Sequence, residues 1–354
     1  MKTLTAEQWR ALGKQLFMAA GAPELDAVLV TTELVDASLM GLDSHGITRF
    51  IHYLDEIRMG RIKPGAPMTI VKETPATAIV DCGMNFGPVS ALKMVDIVCT
   101  KAEQCQLALV ISRHCHHVSR LGAYVQKIAE RGLFGFGTAN SSKHGHFVVP
   151  WGGRDGRLAT NPLAYAAPSA GGHPVVLDMA TSMISEGKIR VLMHQGNPVP
   201  PGSILDGEGR PTSDPKAFYG PPRGTILPLG GELGYKGFGL SLLVELLSST
   251  LAGEPVTDKF TYMNGLALLA INPDAFCGKE RFAELVQALS QYVTSSRPAE
   301  GSQEVVMPGE YDFRTREKRL REGIGVTDET WRLLIEAADR FGLSIGEYGA
   351  GENP

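Results

Sequence analysis

The sequence lacks a hydrophobic run long enough to cross a bilayer, so we expect no membrane-spanning helix. It also lacks an excess of positive charge, because 34 Lys and Arg residues against 38 Asp and Glu residues give a formal net charge of -4. Proteins that bind nucleic acid usually carry a basic surface, so the composition does not favour such a partner. The first ten residues are amphipathic and include the acidic Glu7, which is not typical of a signal peptide.

Cysteine is scarce, and its spacing excludes two kinds of site. The five cysteines are odd in number and have neither the spacing of a disulfide framework nor that of a zinc site. This usage predicts a reducing, cytoplasmic environment. The cysteines are Cys82, Cys99, Cys105, Cys115 and Cys277.

The run His114-Cys-His-His117 resembles a metal cluster at first sight. If the chain is a strand here, His114 and His116 share a face and could pair. No partner set with zinc spacing exists elsewhere, so we expect no metal. One of these histidines could instead line a pocket, since loops between strands and helices collect the sites of α/β proteins.

The chain is 43% hydrophobic and 20% charged, which is ordinary for a globular protein with a large core in two lobes. Apolar residues recur at helical spacing from residue 5 to 60, with Thr5 placed to cap the first helix. Helical spacing returns from Tyr311 to Phe341. Between these regions, apolar runs typical of strands, such as Leu107–Ile111 and Leu266–Ile271, alternate with helices. We therefore predict an α/β fold with a mixed-sheet central domain, residues 67–299, and a helical domain built from both termini, residues 1–66 and 300–354.

The segment Gly41-Leu-Asp-Ser-His-Gly-Ile-Thr-Arg49 carries the clearest chemical signal. If the chain is helical from Ser44, then His45 and Arg49 lie one turn apart on the same face. Arg can bind a carboxylate with two hydrogen bonds, and His can transfer a proton near neutral pH. This pair suits an acid that has a carbonyl beside its carboxylate. The alternative is a helix start with an unrelated His and Arg on its surface.

A glycine-rich run after a predicted strand, Gly135-Phe-Gly-Thr-Ala-Asn140, invites comparison with a dinucleotide-binding fingerprint. The third glycine of that fingerprint is replaced by Asn140, and Ser141–Gly145 does not open a helix. Strand, glycine turn and helix start are all required together, so we exclude a standard Rossmann site here.

Two further segments carry polar residues beside apolar ones. Asp178 ends the apolar run Val175–Leu177, where a carboxylate is costly without a partner, and His45 is a candidate partner. The alternative is an Asp that caps the next helix. Lys236, between glycines and ahead of the apolar run Gly239–Leu251, suits a phosphate or carboxylate at a helix start, although a solvated loop lysine is an equal alternative.

Together these motifs resemble the malate/L-lactate dehydrogenase-like oxidoreductases of the non-Rossmann type, over nearly the whole chain. Each motif is weak alone, while their order and spacing are specific. The form Arg-Leu-Gly-x-Tyr looks most like the hydroxycarboxylate dehydrogenase branch. The resemblance is carried by Ser44–Arg49, His117–Tyr124, Thr160–Pro162, Leu177–Ser182, Gly187-Lys188, Pro228–Gly231, Gly234–Gly237 and Pro308–Glu310.

The resemblance implies roles for individual residues. His45 matches the catalytic proton donor, and Asp178 matches the acid that works with it. Arg49 and Thr160 match positions that hold the substrate carboxylate, and Ser44 and His117 are assigned to the same substrate site. Cofactor binding is implied for Val176, Leu177, Asp178, Met179, Ala180, Thr181, Ser182, Lys188, Tyr235, Lys236, Gly309, Glu310 and Tyr311.

The resemblance also implies a nicotinamide-binding fold of non-Rossmann type, NAD or NADP as cofactor, and a homodimer. The predicted reaction is reversible hydride transfer between the cofactor and C2 of a 2-oxo or 2-hydroxy acid. The same residues would serve reduction of a cyclic imino acid or an N-alkyl imine, which is the first alternative. A nicotinamide-binding subunit without catalysis is the second.

Overall fold

The computed structural model describes residues 1–255 and 263–346. Its strands are β1 Lys2–Leu4, β2 Thr69–Glu73, β3 Thr77–Asp81, β4 Leu107–Arg113, β5 Phe134–Ala139, β6 Leu163–Ala167, β7 Val175–Met179, β8 Ile204–Leu205, β9 Pro211–Thr212, β10 Thr225–Ile226, β11 Leu266–Ile271 and β12 Ile324–Val326. Its α-helices are α1 Ala6–Ala19, α2 Glu24–Leu39, α3 Arg49–Arg58, α4 Gly87–Cys105, α5 Leu121–Glu130, α6 Glu186–Gln195, α7 Pro215–Tyr219, α8 Tyr235–Glu245, α9 Lys279–Thr294, α10 Glu310–Glu322 and α11 Asp328–Asp339.

A seven-stranded mixed sheet forms the centre, in the order β2-β3-β4-β11-β5-β6-β7. Only β3 and β4 run parallel; the other neighbouring pairs of this sheet are antiparallel. Helices α4 and α5 pack on it, and its core includes Met94, Val98, Val110, Val125 and Leu268. The predicted mixed α/β fold is confirmed. The antiparallel pairing also differs from the parallel sheet of a Rossmann domain, as the failed glycine fingerprint indicated.

The two ends of the chain meet in a second core. Strand β1 pairs antiparallel with β12, so that Leu4 lies opposite Ile324. Trp9 is fully buried, and its indole N–H donates to the Ile324 carbonyl at 2.9 Å. Thr5 caps α1 as predicted, through a reciprocal capping box with Gln8. This core holds α1, α2, α3 and α11 together, while the domain limits at residues 66 and 300 stay a prediction.

A third, smaller core lies within the predicted central domain. It is built around Val148, Ile189, Phe218 and Ile226, beside a three-stranded sheet in the order β10-β8-β9. Its importance is that it carries α6, whose first turn reaches the cavity described below. No α-helix formed by the described residues has the length and apolar character needed to cross a membrane.

Candidate active site

A cavity of about 390 Å³ brings together all but one of the predicted catalytic and substrate-binding residues, the exception being Asp178. It is lined from six parts of the chain: the segment before and within α3, the loop after β4, the end of β5 with the loop after it, the loop before β6, the start of α6, and the residues just before β11. The predicted residues that line it are Ser44, His45, Arg49, His117 and Thr160. Residues separated by more than 100 positions in sequence thus line one cavity, which is the usual form of a small-molecule site.

The expected continuous helix from Ser44 is wrong. Residues Asp43–His45 form a single 3₁₀ turn, Gly46 breaks the helix with φ -103° and ψ -138°, and α3 begins only at Arg49. The break arises because Gly46 is pressed against α2: a Cβ there would collide with the Ser38 hydroxyl. That hydroxyl also accepts the N–H of Ile47 at 2.9 Å. His45 therefore reaches the cavity from the 3₁₀ turn and Arg49 from the first residue of α3, and the two do not share one helical face.

Arg49 is a cation that forms no ion pair with an acid of residues 1–255 or 263–346. Its Nε donates to the Ser44 carbonyl at 2.6 Å, and no described carboxylate lies within ion-pair distance of the guanidinium. Burial lowers the pKa of Arg49, and the neighbouring Arg190 adds to this effect. Because Nε is occupied, the two terminal nitrogens remain as a fork suited to a carboxylate.

His45 is held as a neutral imidazole. Its Nδ1 lies 2.9 Å from the Ser44 hydroxyl, and its ring stacks on that of His117 with centroids 5.7 Å apart. Burial and then the positive charge of Arg49 lower the pKa of His45 to about 4. At neutral pH the ring can therefore accept a proton in this environment.

Hydrogen bonds from Ser119 and Tyr53 fix the orientation of the His117 ring. The Ser119 N–H donates to His117 Nδ1 at 3.3 Å, and the Tyr53 hydroxyl lies 2.9 Å from the same atom and donates to the His117 carbonyl at 2.7 Å. A backbone N–H can only donate, so Nδ1 is the acceptor and the ring proton belongs on Nε2. Burial, followed by the charge of Arg49, lowers the pKa of His117 well below its usual value.

The other two histidines of the run do not pair with each other. Strand β4 ends at Arg113, and His114 has a left-handed φ of 47°, so the strand alternation that we expected is wrong. His114 bonds to Asp81 at 2.8 Å outside the cavity, while buried His116 bonds to Glu56 at 3.3 Å. Within residues 1–255 and 263–346, no three His, Cys, Asp or Glu side chains are arranged to hold a metal ion.

Thr160 is positioned by a buried polar network that sequence reasoning missed. Glu245 on α8 accepts from the side-chain amide of Asn161 at 2.8 Å and from that of Asn140 at 2.6 Å. The Thr160 carbonyl accepts the N–H of Thr181 at 2.9 Å. One signal was available, because Glu245 is the only charged residue in the apolar run Gly239–Leu251. A lone carboxylate in such a run indicates a buried partner.

Asp178 is not the partner of His45, and that expected contact is wrong. Its Oδ2 accepts the N–H of Gly122 at 2.6 Å, at the start of α5. Burial raises the pKa of Asp178, whereas the charge of Arg120 opposes this rise. The physical reason is strand register: Asp178 pairs with Ala164 within the sheet and lies against α5, on a wall that does not belong to the cavity.

The predicted cofactor segments form one continuous strip. The Val176 N–H donates to the Pro308 carbonyl at 3.2 Å, and Leu229 N–H donates to the Thr181 carbonyl at 2.9 Å. Segments Gly309–Tyr311 and Tyr235–Lys236 thus flank Val176–Ser182 at its two ends. Lys188 is different, because its side chain is exposed on α6 and does not line the cavity.

The strip has features that fit a nicotinamide cofactor. Gly309 has a left-handed φ of 89°, and a Cβ there would lie 2.8 Å from the Val176 carbonyl oxygen. The two backbone segments therefore approach so closely that only glycine fits at this position. Asp178 Oδ1 accepts no hydrogen bond from the described residues, which leaves it for a hydroxyl or amide of a ligand. Exposed Tyr235 offers an aromatic face.

The cavity also contains residues that no motif indicated. Glu186 and Arg190, one turn apart on α6, line it and form an ion pair of 2.7 Å, and the Tyr219 hydroxyl donates to Glu186 at 2.9 Å. They flank the Gly187-Lys188 motif, but nothing in the sequence indicated that the start of α6 would reach the same space as Arg49.

Comparison with known proteins places this site in a family. The malate/L-lactate dehydrogenase family profile matches residues 4–335. L-sulfolactate dehydrogenase of Methanocaldococcus jannaschii is 35% identical over 93% of this chain and 94% of its own length. Hydroxycarboxylate dehydrogenase B of Escherichia coli K12 is 31% identical over 93% of this chain and 91% of its own. A Δ1-pyrroline-2-carboxylate/Δ1-piperideine-2-carboxylate reductase of Pseudomonas putida is 31% identical over 92% and 94%.

Solved structures agree with these relatives. The structure of the M. jannaschii sulfolactate dehydrogenase superimposes with a TM-score of 0.88 and 32% identity, covering 98% of this chain and 99% of that one. Such coverage leaves no large part of the chain outside the shared fold. The chain belongs to the malate/L-lactate dehydrogenase family, enzymes of the 2-hydroxy acid dehydrogenase class.

Proposed function

We propose that this enzyme transfers hydride reversibly between NAD or NADP and C2 of a 2-oxo or 2-hydroxy acid, with His45 as proton donor and acceptor. One observation carries the proposal: the guanidinium of Arg49, which forms no ion pair with the described residues, shares a cavity with the neutral imidazoles of His45 and His117. An anion is needed to satisfy Arg49, and a proton acceptor is needed where a hydroxyl is oxidised.

In the direction of oxidation, Arg49 and Thr160 would hold the substrate carboxylate and so align C2. Neutral His45 would take the proton from the hydroxyl on C2. The hydrogen bonded to C2 itself would leave as hydride to the oxidised cofactor. His117, with its proton on Nε2, would donate a hydrogen bond to the same oxygen.

In the direction of reduction, His45 must be protonated. The bound carboxylate would offset the charge of Arg49, which is one of the two causes of the low pKa, so substrate binding would raise the pKa of His45. The bound carboxylate would thus raise the pKa of His45, which is the effect that the predicted contact with Asp178 was expected to have.

The nicotinamide ring supplies hydride chemistry when it is bound. Val176–Ser182, Tyr235–Lys236 and Gly309–Tyr311 are the segments that would hold the cofactor, with Asp178 Oδ1 as a hydrogen-bond acceptor. Lys188 stays a predicted contact without a structural argument for it.

The decisive test is turnover with a panel of substrates. Purified protein with NADH or NADPH would be followed at the nicotinamide absorbance with pyruvate, oxaloacetate, phenylpyruvate, sulfopyruvate and Δ1-piperideine-2-carboxylate. We expect turnover of at least one 2-oxo acid. Cofactor binding without turnover of any oxo acid or imine would support the non-catalytic alternative instead.

Reduction of a cyclic imino acid is the second candidate function. The relative from Pseudomonas putida is named for two such substrates and matches 92% of this chain. Arg49, Thr160 and His45 would serve a C=N bond with an adjacent carboxylate in the same way as a C=O bond. Turnover of Δ1-piperideine-2-carboxylate at a higher kcat/KM than any 2-oxo acid would favour this candidate.

The pH dependence of oxidation tests the low pKa of His45. The active form is the neutral base, which persists above the folded-state pKa of about 4. We therefore expect kcat/KM for the hydroxy acid to be flat from pH 8 to about 5 and to fall as pH drops through 4. A fall already centred near 6.5, the usual value for His, would contradict the proposal. Recovery of full activity on return to pH 7 is the control against acid unfolding.

We also propose a homodimer in the cytoplasm. Helix α8 and the turn after it expose a row of large apolar side chains, which a second copy would cover. The free thiols of the chain fit a reducing compartment. Sedimentation velocity should give twice the monomer mass, and L243E/L246E should sediment as a monomer. A wild-type monomer would contradict the proposal. The exposed residues are Leu242, Leu243, Leu246 and Leu251.

A further inference from the structure

Arg120 is a buried cation whose donors are not all used. It immediately precedes α5, and its side chain is only 4% exposed. Nη1 donates to the Gln126 side chain at 3.3 Å, whereas Nε and Nη2 are buried and form no hydrogen bond with the described residues. A buried polar group without a hydrogen-bond partner destabilises the folded protein, and the cost is larger when the group is charged. A ligand that accepts from these atoms would remove that cost.

Two carboxylates lie near this guanidinium without accepting from it. Asp312 Oδ2 is 3.7 Å from Nη2, which is an ion pair without a hydrogen bond. Asp178 is close on the other side, where its Oδ2 is occupied by the Gly122 N–H. The carboxylates balance part of the charge, but they leave the N–H groups of Arg120 available.

Arg120 lines a cavity of about 270 Å³, separate from the catalytic one. Other cations border it: Lys127, which pairs with Glu33 at 3.2 Å, and Arg316, which has no ion pair among the described residues. The remaining acids on its wall are engaged elsewhere, Asp36 with Arg10 at 2.5 Å and Glu130 with Gln126 at 3.0 Å. The start of α5, a ten-residue helix, adds the partial positive charge of its N-terminus.

This cavity adjoins the strip assigned to the cofactor. His173 and Phe313, whose rings stack at 4.3 Å, line it and also line a further cavity of about 430 Å³. That second cavity is bordered by Val175, Pro308 and Glu310, which belong to or adjoin the cofactor segments. Arg120 follows Val118, which lines the candidate active site, by two residues. On its other side is the cavity of about 430 Å³, which is large enough for a nucleoside.

We propose that Arg120 binds the diphosphate group of the nicotinamide cofactor. The inference rests on the proposed function, since it requires that a dinucleotide occupies this strip. Nε and Nη2 form the planar edge that binds two phosphate oxygens together. Asp178, beside them, is left to accept from a neighbouring hydroxyl of the same ligand.

The test is cofactor affinity combined with stability of the protein without cofactor. In Arg120→Met, we expect the Kd of NADH and of ADP-ribose, measured by calorimetry, to rise at least about tenfold, because a bidentate charged contact is lost. The Tm without cofactor should stay the same or rise, because the substitution removes a buried charge with unpaired donors. Arg120→Lys, which keeps the charge without the fork, should fall between.

Arg131→Met is the matched control, because Arg131 follows the other end of α5, is exposed and pairs with Asp96 outside this cavity. We expect its Kd for both ligands to match the wild type.

A Kd within twofold of wild type in Arg120→Met would overturn the inference, and a lowered Tm with unchanged Kd would assign Arg120 a structural role. If the wild type turned over an oxo acid while Arg120→Met bound NADH normally, only this inference would fail; if the wild type bound neither cofactor, the proposed function would fail as well.

Discussion

Replacing His45 by alanine should reduce kcat by about 10²–10⁴-fold while leaving cofactor affinity unchanged. This is the range in which a positioned acid-base group contributes to a reaction, equivalent to about 3–5 kcal/mol of barrier. The side chain contacts Ser44 and stacks on His117, and it belongs to no hydrophobic core, so its removal should not unfold the protein. The measurements are steady-state kinetics with the best substrate of the panel and NADH binding by fluorescence.

Two further variants make this result specific. His114→Ala removes an exposed histidine of the same chain that bonds to Asp81 outside the cavity, so its kinetics should match the wild type. His117→Ala should cost less than His45→Ala, because His117 is assigned a hydrogen bond and not the transferred proton. If His117→Ala abolished turnover and His45→Ala retained it, the two roles would have to be exchanged.

Much of the fold could be predicted because it depends on local pattern. The β11 strand and the capping of α1 by Thr5 follow from apolar runs and from cap chemistry within a few residues. The same local patterns cannot show which strands pair. Strand β11, late in the sequence, lies between β4 and β5, a placement that depends on burial of the whole sheet.

The candidate cavity gathers several residues that the motifs named, although not in the geometry that we predicted. Motif order located His45, Arg49 and Thr160, which line one cavity. The helical face expected for His45 and Arg49 was wrong because the contact between Gly46 and α2 is a tertiary constraint that spacing does not reveal. The contact of Asp178 with His45 was wrong for a similar reason, because sheet register places the carboxylate at the start of α5.

Arg190 and Arg120 illustrate what a single sequence does not contain. An arginine on an amphipathic helix reads as a solvated residue unless the packing of that helix is known. Arg190 reaches the catalytic cavity only because the third core holds α6 beside Ser44, whose Cβ is 3.4 Å from the position that a Cβ on Gly187 would take. Arg120 is notable only because two of its nitrogens are buried without a hydrogen-bond partner in the part of the chain that the structure describes.

Replacing Arg49 by lysine should raise KM for the 2-oxo acid by about 10–100-fold, with a smaller effect on kcat. Hydrogen bonds to charged groups contribute about 1.5–3 kcal/mol, and lysine keeps the charge but loses the fork. Arg58→Lys is the matched control, since Arg58 is exposed at the end of the same helix and pairs with Asp55. An unchanged KM in Arg49→Lys would contradict the assignment of Arg49 to the carboxylate.

Arg49→Gln should also move the pH profile, which a purely structural role would not do. The charge of Arg49 is the second cause of the low pKa of His45, after burial. Removing the charge should therefore shift the acid limb of the oxidation profile upward from about 4, while burial keeps it below the usual value near 6.5. In Arg49→Lys, which keeps the charge, the limb should stay where it is in the wild type. An acid limb that moves equally in both variants would mean that the substitutions act on His45 by changing the conformation of the loop and not through charge. An acid limb that moves only in Arg49→Gln would link proton transfer at His45 to the guanidinium that is proposed to bind the substrate.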